Sequence, residues 1–119
     1  MNDTVVRIVG CDPTNPAPSP ADWDEIKPLV LRYLNTAQVV MAARSKQPDA
    51  FDASKTFAVP LTWQTDGTYA WPGALPYYAE HHDQAPPADF LEHLRAAGFH
   101  PPTVDADAVA RAGQAIRRA

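Results

Sequence analysis

A chain of 119 residues and 13.0 kDa is the size of one domain, able to bury roughly two-thirds of the surface its unfolded form exposes. Hydrophobic residues at 45% and charged residues at 20% exclude wholesale disorder, and the single cysteine, Cys11, excludes an internal disulfide and a four-cysteine zinc site. A net charge of −4 argues against nonspecific binding to nucleic acid or anionic lipid; no stretch approaches the roughly 18–20 apolar residues of a membrane span, and Met1–Thr4 lacks signal-peptide character, so a cytoplasmic protein is expected.

The β-branched run Val5, Val6, Ile8, Val9 predicts a strand over 4–9, ended by Gly10. The 13 prolines, about twice the usual share, begin in earnest after it. They make 11–19 a Pro-rich loop, and the rest fall at expected element ends, as in a single folded domain spanning 1–119. Ser19 as N-cap, Pro20 at the first helical position and Asp22 at the third predict a helix start. Trp23, Ile26, Val30, Tyr33 and Leu34 recur at helical spacing and form its core stripe. Pro28 predicts a kink near 24–28, or a break with a restart, because it lacks an N–H and clashes with the preceding turn. Gln38 to Ala43 reads as a short strand, and the polar stretch 44–55 as a loop.

Phe57, Val59, Leu61 and Trp63 alternate with Ala58, Pro60, Thr62 and Gln64, the period of a half-buried strand, with Pro60 marking an edge. Thr65-Asp66-Gly67 is a turn, and Thr68 to Trp71 returns. A two-residue Asp66-Gly67 turn sets Tyr69 and Trp71 on the face opposite Phe57, Val59 and Leu61. A three-residue loop with left-handed Gly67 gathers Phe57, Val59, Leu61, Trp63, Tyr69 and Trp71 on one face. The second is preferred because it leaves one wet face and one dry face. Three helices follow: 73–83, with Pro76 in its first turn; one opened by Pro86-Pro87 and closed at Gly98; and one capped by Asp105, with Val109, Ala112 and Ile116 inward. The expected class is α+β, a small antiparallel sheet including a 57–71 hairpin with about four helices packed on one face.

Chemistry-bearing signatures are sparse. Tyr77, Tyr78, His81, His82 and Asp83 cluster, but adjacent histidines on a helix diverge by about 100°, and no metal-binding spacing such as HExxH is present. His81 is expected to be solvated and His82 to pack at the core edge. Nothing around Cys11 marks a nucleophile. Asp22, Asp24 and Glu25, like Asp105 and Asp107, are explained by helix-start electrostatics. Neither GxGxxG nor GxxxxGK[ST] occurs, so no metal and no cofactor are expected.

The segment Val59-Pro60-Leu61-Thr62-Trp63-Gln64-Thr65-Asp66-Gly67-Thr68-Tyr69-Ala70-Trp71-Pro72, with Leu75-Pro76-Tyr77-Tyr78 and Phe90-Leu91 to Gly98-Phe99, resembles small proteins of high-GC bacteria with the character of polymorphic-toxin immunity proteins. The resemblance covers about residues 57–105 and supplies no catalytic residue. It implies a protein-binding module that neutralises a toxin domain, with no turnover of its own. The acidic balance suits a basic toxin partner such as a nuclease or deaminase. Asp49 and Asp52 in the polar loop are the acids that capping does not explain. With Trp63, Asp66, Tyr69, Trp71, Tyr77 and His81 they are the expected partner-contact residues. The alternatives are a small enzyme using His81 or His82 for acid–base chemistry or metal ligation, and a phage or accessory structural subunit.

Overall fold

A computed structural model describes residues 5–119. The elements are β1 (Arg7–Ile8), α1 (Trp23–Thr36), β2 (Gln38–Met41), β3 (Lys46–Gln47), β4 (Val59–Pro60), β5 (Trp63–Thr65), β6 (Tyr69–Pro72), α2 (Ala74–His82), α3 (Ala88–Ala96) and α4 (Ala106–Arg118). The class is α+β with four helices, as the sequence predicts. The main sheet runs β1-β6-β5-β2, and β3 and β4 form a separate antiparallel pair.

Three features of the sheet differ from expectation. It is mixed, because β1 runs parallel to β6, with Arg7 opposite Tyr69. Residue 4 of the expected first strand lies outside the described residues. The expected strand through Phe57–Trp63 is two strands: β4 pairs with β3, and only β5 joins the main sheet. Where the two strands part, at Leu61-Thr62, Gly73 lies hard against Pro60. A Cβ on Gly73 would come 2.8 Å from the Pro60 Cβ, and the Gly73 amide donates to the Thr62 carbonyl at 2.7 Å.

The hairpin register also differs. Trp63 opposes Pro72, Gln64 opposes Trp71 and Thr65 opposes Ala70, leaving Gly67 and Thr68 at the tip. The loop therefore has two residues, one position beyond the two-residue turn considered from sequence, and the three-residue loop is not formed. Gly67 does take positive φ (92°), where a β-carbon is disfavoured. The turn is selected by Asp66, whose Oδ1 accepts from the amides of Thr68 (2.9 Å) and Tyr69 (2.8 Å).

This register puts Tyr69 and Trp71 on one face and Trp63 and Ala70 on the other. Helices accordingly cover both faces of the sheet, not one. Tyr69 and Trp71 pack with Trp23, Ile26, Val30, Tyr33 and Leu34 of α1, Leu75 and Ala79 of α2, and Phe90, Leu91 and Leu94 of α3. On the far face Val6 and Ala70 pack against Ala112 of α4, flanked by Val40, Trp63 and Ile116. Small Ala70 is what lets α4 approach the sheet.

In α1 the predicted core stripe is buried as expected, and the helix runs unbroken through Pro28, whose ring is exposed. Its N-cap is Asp22, not Ser19. The Asp22 side chain does not cap, because both its oxygens accept from the Arg95 guanidinium at 2.7 Å, joining the start of α1 to the end of α3. Asp105 caps α4 as predicted, accepting from the Ala108 amide at 2.8 Å. Gly98 is left-handed as predicted, and Phe99 beside it also has positive φ.

Candidate functional site

Two buried carboxylates organise the polar chemistry of the chain in nearly the same way. Asp49 lies in an arm, residues 42–58, between β2 and β4. One of its oxygens accepts from the Tyr77 hydroxyl and lies 2.7 Å from His82 Nε2; the other accepts from the Phe51 amide at 2.8 Å. An ionised carboxylate only accepts, so His82 carries its proton on Nε2. The Asp49 amide donates to the Lys55 carbonyl, and the Ala50 amide donates to the Tyr78 hydroxyl at 3.0 Å. The arm, with little core of its own, is therefore held to α2 through one aspartate and two tyrosines.

Asp66 repeats the pattern at the hairpin. Its Oδ2 accepts from the Tyr33 hydroxyl (2.6 Å) and lies 2.7 Å from His93 Nε2, while Oδ1 takes the two turn amides. It thus fixes the β5–β6 turn to α1 and α3 at once. Both histidines are only partly covered, 24% exposed for His82 and 28% for His93, and both rest on aromatic rings: Phe51 for the first, Tyr69 for the second.

Burial alone would raise the Asp49 carboxyl, but the hydrogen bonds from His82, Tyr77 and the Phe51 amide outweigh it and hold the group well below the usual carboxylate range. The same Asp49 bond, followed by burial, pushes the Tyr77 phenol up to about 12. Burial first, and then Asp66, raise Tyr33. Burial, and then the charge of Asp12, push the Cys11 thiol up to about 11, so it is a protonated thiol at neutral pH and a poor nucleophile. Cys11 lines a cleft of about 640 Å³ formed by the Pro-rich loop against Tyr78 and Gln84. Among the described residues no group of three or more His, Cys, Asp or Glu converges to hold a metal ion, and no helix is long and apolar enough to cross a membrane.

The structure divides the expected contact residues. Asp49, Asp66, Tyr69 and Trp71 are buried, so in this fold they cannot meet a partner. The expectation that Asp49 offers a surface charge is corrected: its carboxylate is a structural tie. Trp63 is half-buried beneath the α4 side. Asp52 is partly exposed, but its carboxylate is held by the Ser54 amide and hydroxyl. Tyr77 is half-buried and His81 exposed, the two rings 4.6 Å apart.

Sequence reading missed Phe51 and Phe57, which are 52% and 59% exposed. Phe57 was placed in the core by an alternation that ends two residues into β4. Near it, Lys46, Ala58 and Pro60 of the arm and β4 face Tyr77, Glu80 and His81 of α2 across a hollow of about 310 Å³. His93 was also missed, since nothing in its local sequence announces a partner 27 residues away. Comparison with protein-family models, curated proteins and solved structures finds no match for this chain.

Proposed function

We propose that this chain is a protein-binding module of the immunity type, which neutralises a toxin domain by docking on it. The observation that carries the reading is the pair of exposed phenylalanines, Phe51 and Phe57, on one arm that is tied to the body through Asp49. Aromatic side chains on a fixed support lose little freedom on binding and are frequent anchors of protein interfaces. The residues available to a partner on this side are Phe51, Asp52, Phe57, Tyr77 and His81.

The test is to capture the partner with the tagged chain in its native host, purify both, and measure binding and the partner's activity. The expected result is a stoichiometric complex in which that activity is blocked. Phe51→Ala and Phe57→Ala should each weaken the complex by about tenfold or more without altering the circular dichroism spectrum. A partner whose activity is untouched, or a complex indifferent to both substitutions, overturns the reading.

A second reading, acid–base chemistry at His82, has one observation in its favour: a buried aspartate orients a partly exposed imidazole. The duplicate at Asp66 and His93 speaks against it. There the same set of groups joins a turn to two helices, and the Asp49 set joins an arm to a helix in the same manner. Turnover of any substrate abolished by His82→Ala would reinstate it.

A further inference from the structure

We infer that the hollow between α2, β5 and the arm binds a small zwitterion of the α-amino-acid class, its ammonium at Gln64 and Glu80 and its carboxylate at Lys46. The inference goes beyond the protein-binding reading and does not depend on it.

Gln64 is a polar residue in an apolar place. It opposes Trp71 in the hairpin, so its side chain lies on the sheet face covered by α1 and α2, and it is 8% exposed. Its Nε2 donates to the Ala37 carbonyl at 2.9 Å, just past the end of α1, which accounts for one end of the amide. The other end, Oε1, accepts from no donor among the described residues. Buried amides are ordinarily bonded at both ends. Gln64 lines the hollow of about 310 Å³, and its spare acceptor opens there. An oxygen so placed favours a ligand N–H or O–H and repels a carboxylate.

The rim carries one charge of each sign: Glu80 of α2 and Lys46 of β3 both line the hollow. Glu80 has no lysine or arginine partner among the described residues; its neighbour is His81, 3.8 Å away. The Lys46 ammonium rests 5.6 Å from the centre of the Phe57 ring and meets no carboxylate there. A simple anion entering the hollow faces Gln64 Oε1 and Glu80, and a simple cation faces Lys46. A zwitterion satisfies both ends at once, with the ammonium donating to Gln64 Oε1 and Glu80 and the carboxylate accepting from Lys46. The remaining wall is apolar and suits an aliphatic side chain: Pro60, Pro76 and the ring of Tyr77. That ring is already fixed, because its hydroxyl donates to Asp49 at 2.7 Å, so little freedom is lost when a ligand packs on it. The volume lies at the small end of ligand pockets, enough for one amino acid.

The probe is L-leucine, titrated into the isotope-labelled chain and followed by amide shift changes. Two fragments serve as controls: 3-methylbutylamine, which is leucine without its carboxylate, and 4-methylpentanoate, which is leucine without its ammonium. The expected result is that leucine saturates by about 10 mM, the range for a ligand of so few atoms, moving the Gln64 side-chain amide and the backbone amides of Tyr77–His81. Each fragment should bind about tenfold more weakly, having lost one charge-assisted hydrogen-bonding end. Gln64→Leu keeps the shape and removes the acceptor, and should weaken leucine by about tenfold. Glu80→Gln alters an exposed residue, so the fold is not at risk, and should weaken it by roughly twofold to fivefold. It keeps the test decisive even if Gln64→Leu loosens the sheet. Absence of saturation, equal binding of either fragment or of glucose, shifts confined to the cleft beside Cys11, or full leucine affinity in Glu80→Gln overturns the inference.

Discussion

Replacing Asp66 by alanine removes one acceptor from four donors: the Tyr33 hydroxyl, His93 Nε2 and the amides of Thr68 and Tyr69. Thr68 is exposed and His93 partly so, and both recover water as a partner. Tyr33 and the Tyr69 amide lie in the interior and do not. Stranding two buried donors at about 1–3 kcal/mol each, with loss of a charged acceptor, places the cost near 3–5 kcal/mol. A domain of this size has about 5–15 kcal/mol in total, so the variant should remain folded at 25 °C with a sharply lower urea midpoint. Asp66→Asn keeps an acceptor oxygen and should lose about half as much. The measurement is urea unfolding at pH 7 followed by tryptophan fluorescence, reported by buried Trp23 and Trp71. Tyr33→Phe made on top of Asp66→Ala should be neutral or stabilising, since it removes a donor that no longer has a partner. A loss below about 1 kcal/mol for Asp66→Ala with an unchanged denaturant slope would refute the claim that this carboxylate ties hairpin to helices.

Further expectations concern the other polar and backbone constraints. The Asp49 carboxyl titrates lower in the folded chain than in the unfolded one. Its contribution is therefore complete above the unfolded value near about 4 and is lost as pH falls through the folded value. Asp49→Asn should flatten the fall of stability measured as pH is lowered below about 4. The Tyr77 phenol should titrate near 12 in an absorbance titration, and earlier in Asp49→Asn. Gly73→Ala should cost about 1–3 kcal/mol by thermal unfolding, because the added methyl meets Pro60 with its backbone oxygen 3.0 Å away. Gly67→Val should cost about 1–2 kcal/mol through its positive φ of 92°, although the space around it is open.

The helices were legible because their signals are local. The α1 stripe and the Asp105 cap are set by spacing within a few residues. The sheet was less so. Tyr69-Ala70-Trp71 reads as a two-faced strand, but it is central and buried on both sides, one face under α1 to α3 and the other under α4. The alternation from Phe57 to Trp63 runs across a break at Leu61-Thr62, beside which Gly73, ten residues past Trp63, packs against Pro60. The turn register was set by a carboxylate bonding two amides, which turn-residue preferences alone do not encode. The site was least legible. Asp49 and Asp66 looked like loop acids, and only the fold brings each to a histidine and a tyrosine far along the chain.

The parallel pairing of β1 with β6 bears on how the chain reaches this fold. Arg7 and Val9 donate to the carbonyls of Thr68 and Ala70, so the first strand finds its place only through a loop of some sixty residues. Hairpin β5–β6 closes over a few residues and can form early, whereas β1 meets a much larger closure entropy and arrives late. Until it does, β6 presents a bare edge flanked by Tyr69 and Trp71, a surface prone to pairing with other chains. Val9→Ala should accordingly speed unfolding and leave the refolding rate almost unchanged, and docking of the N-terminal strand replaces the long edge of β6 by the two-residue edge of β1.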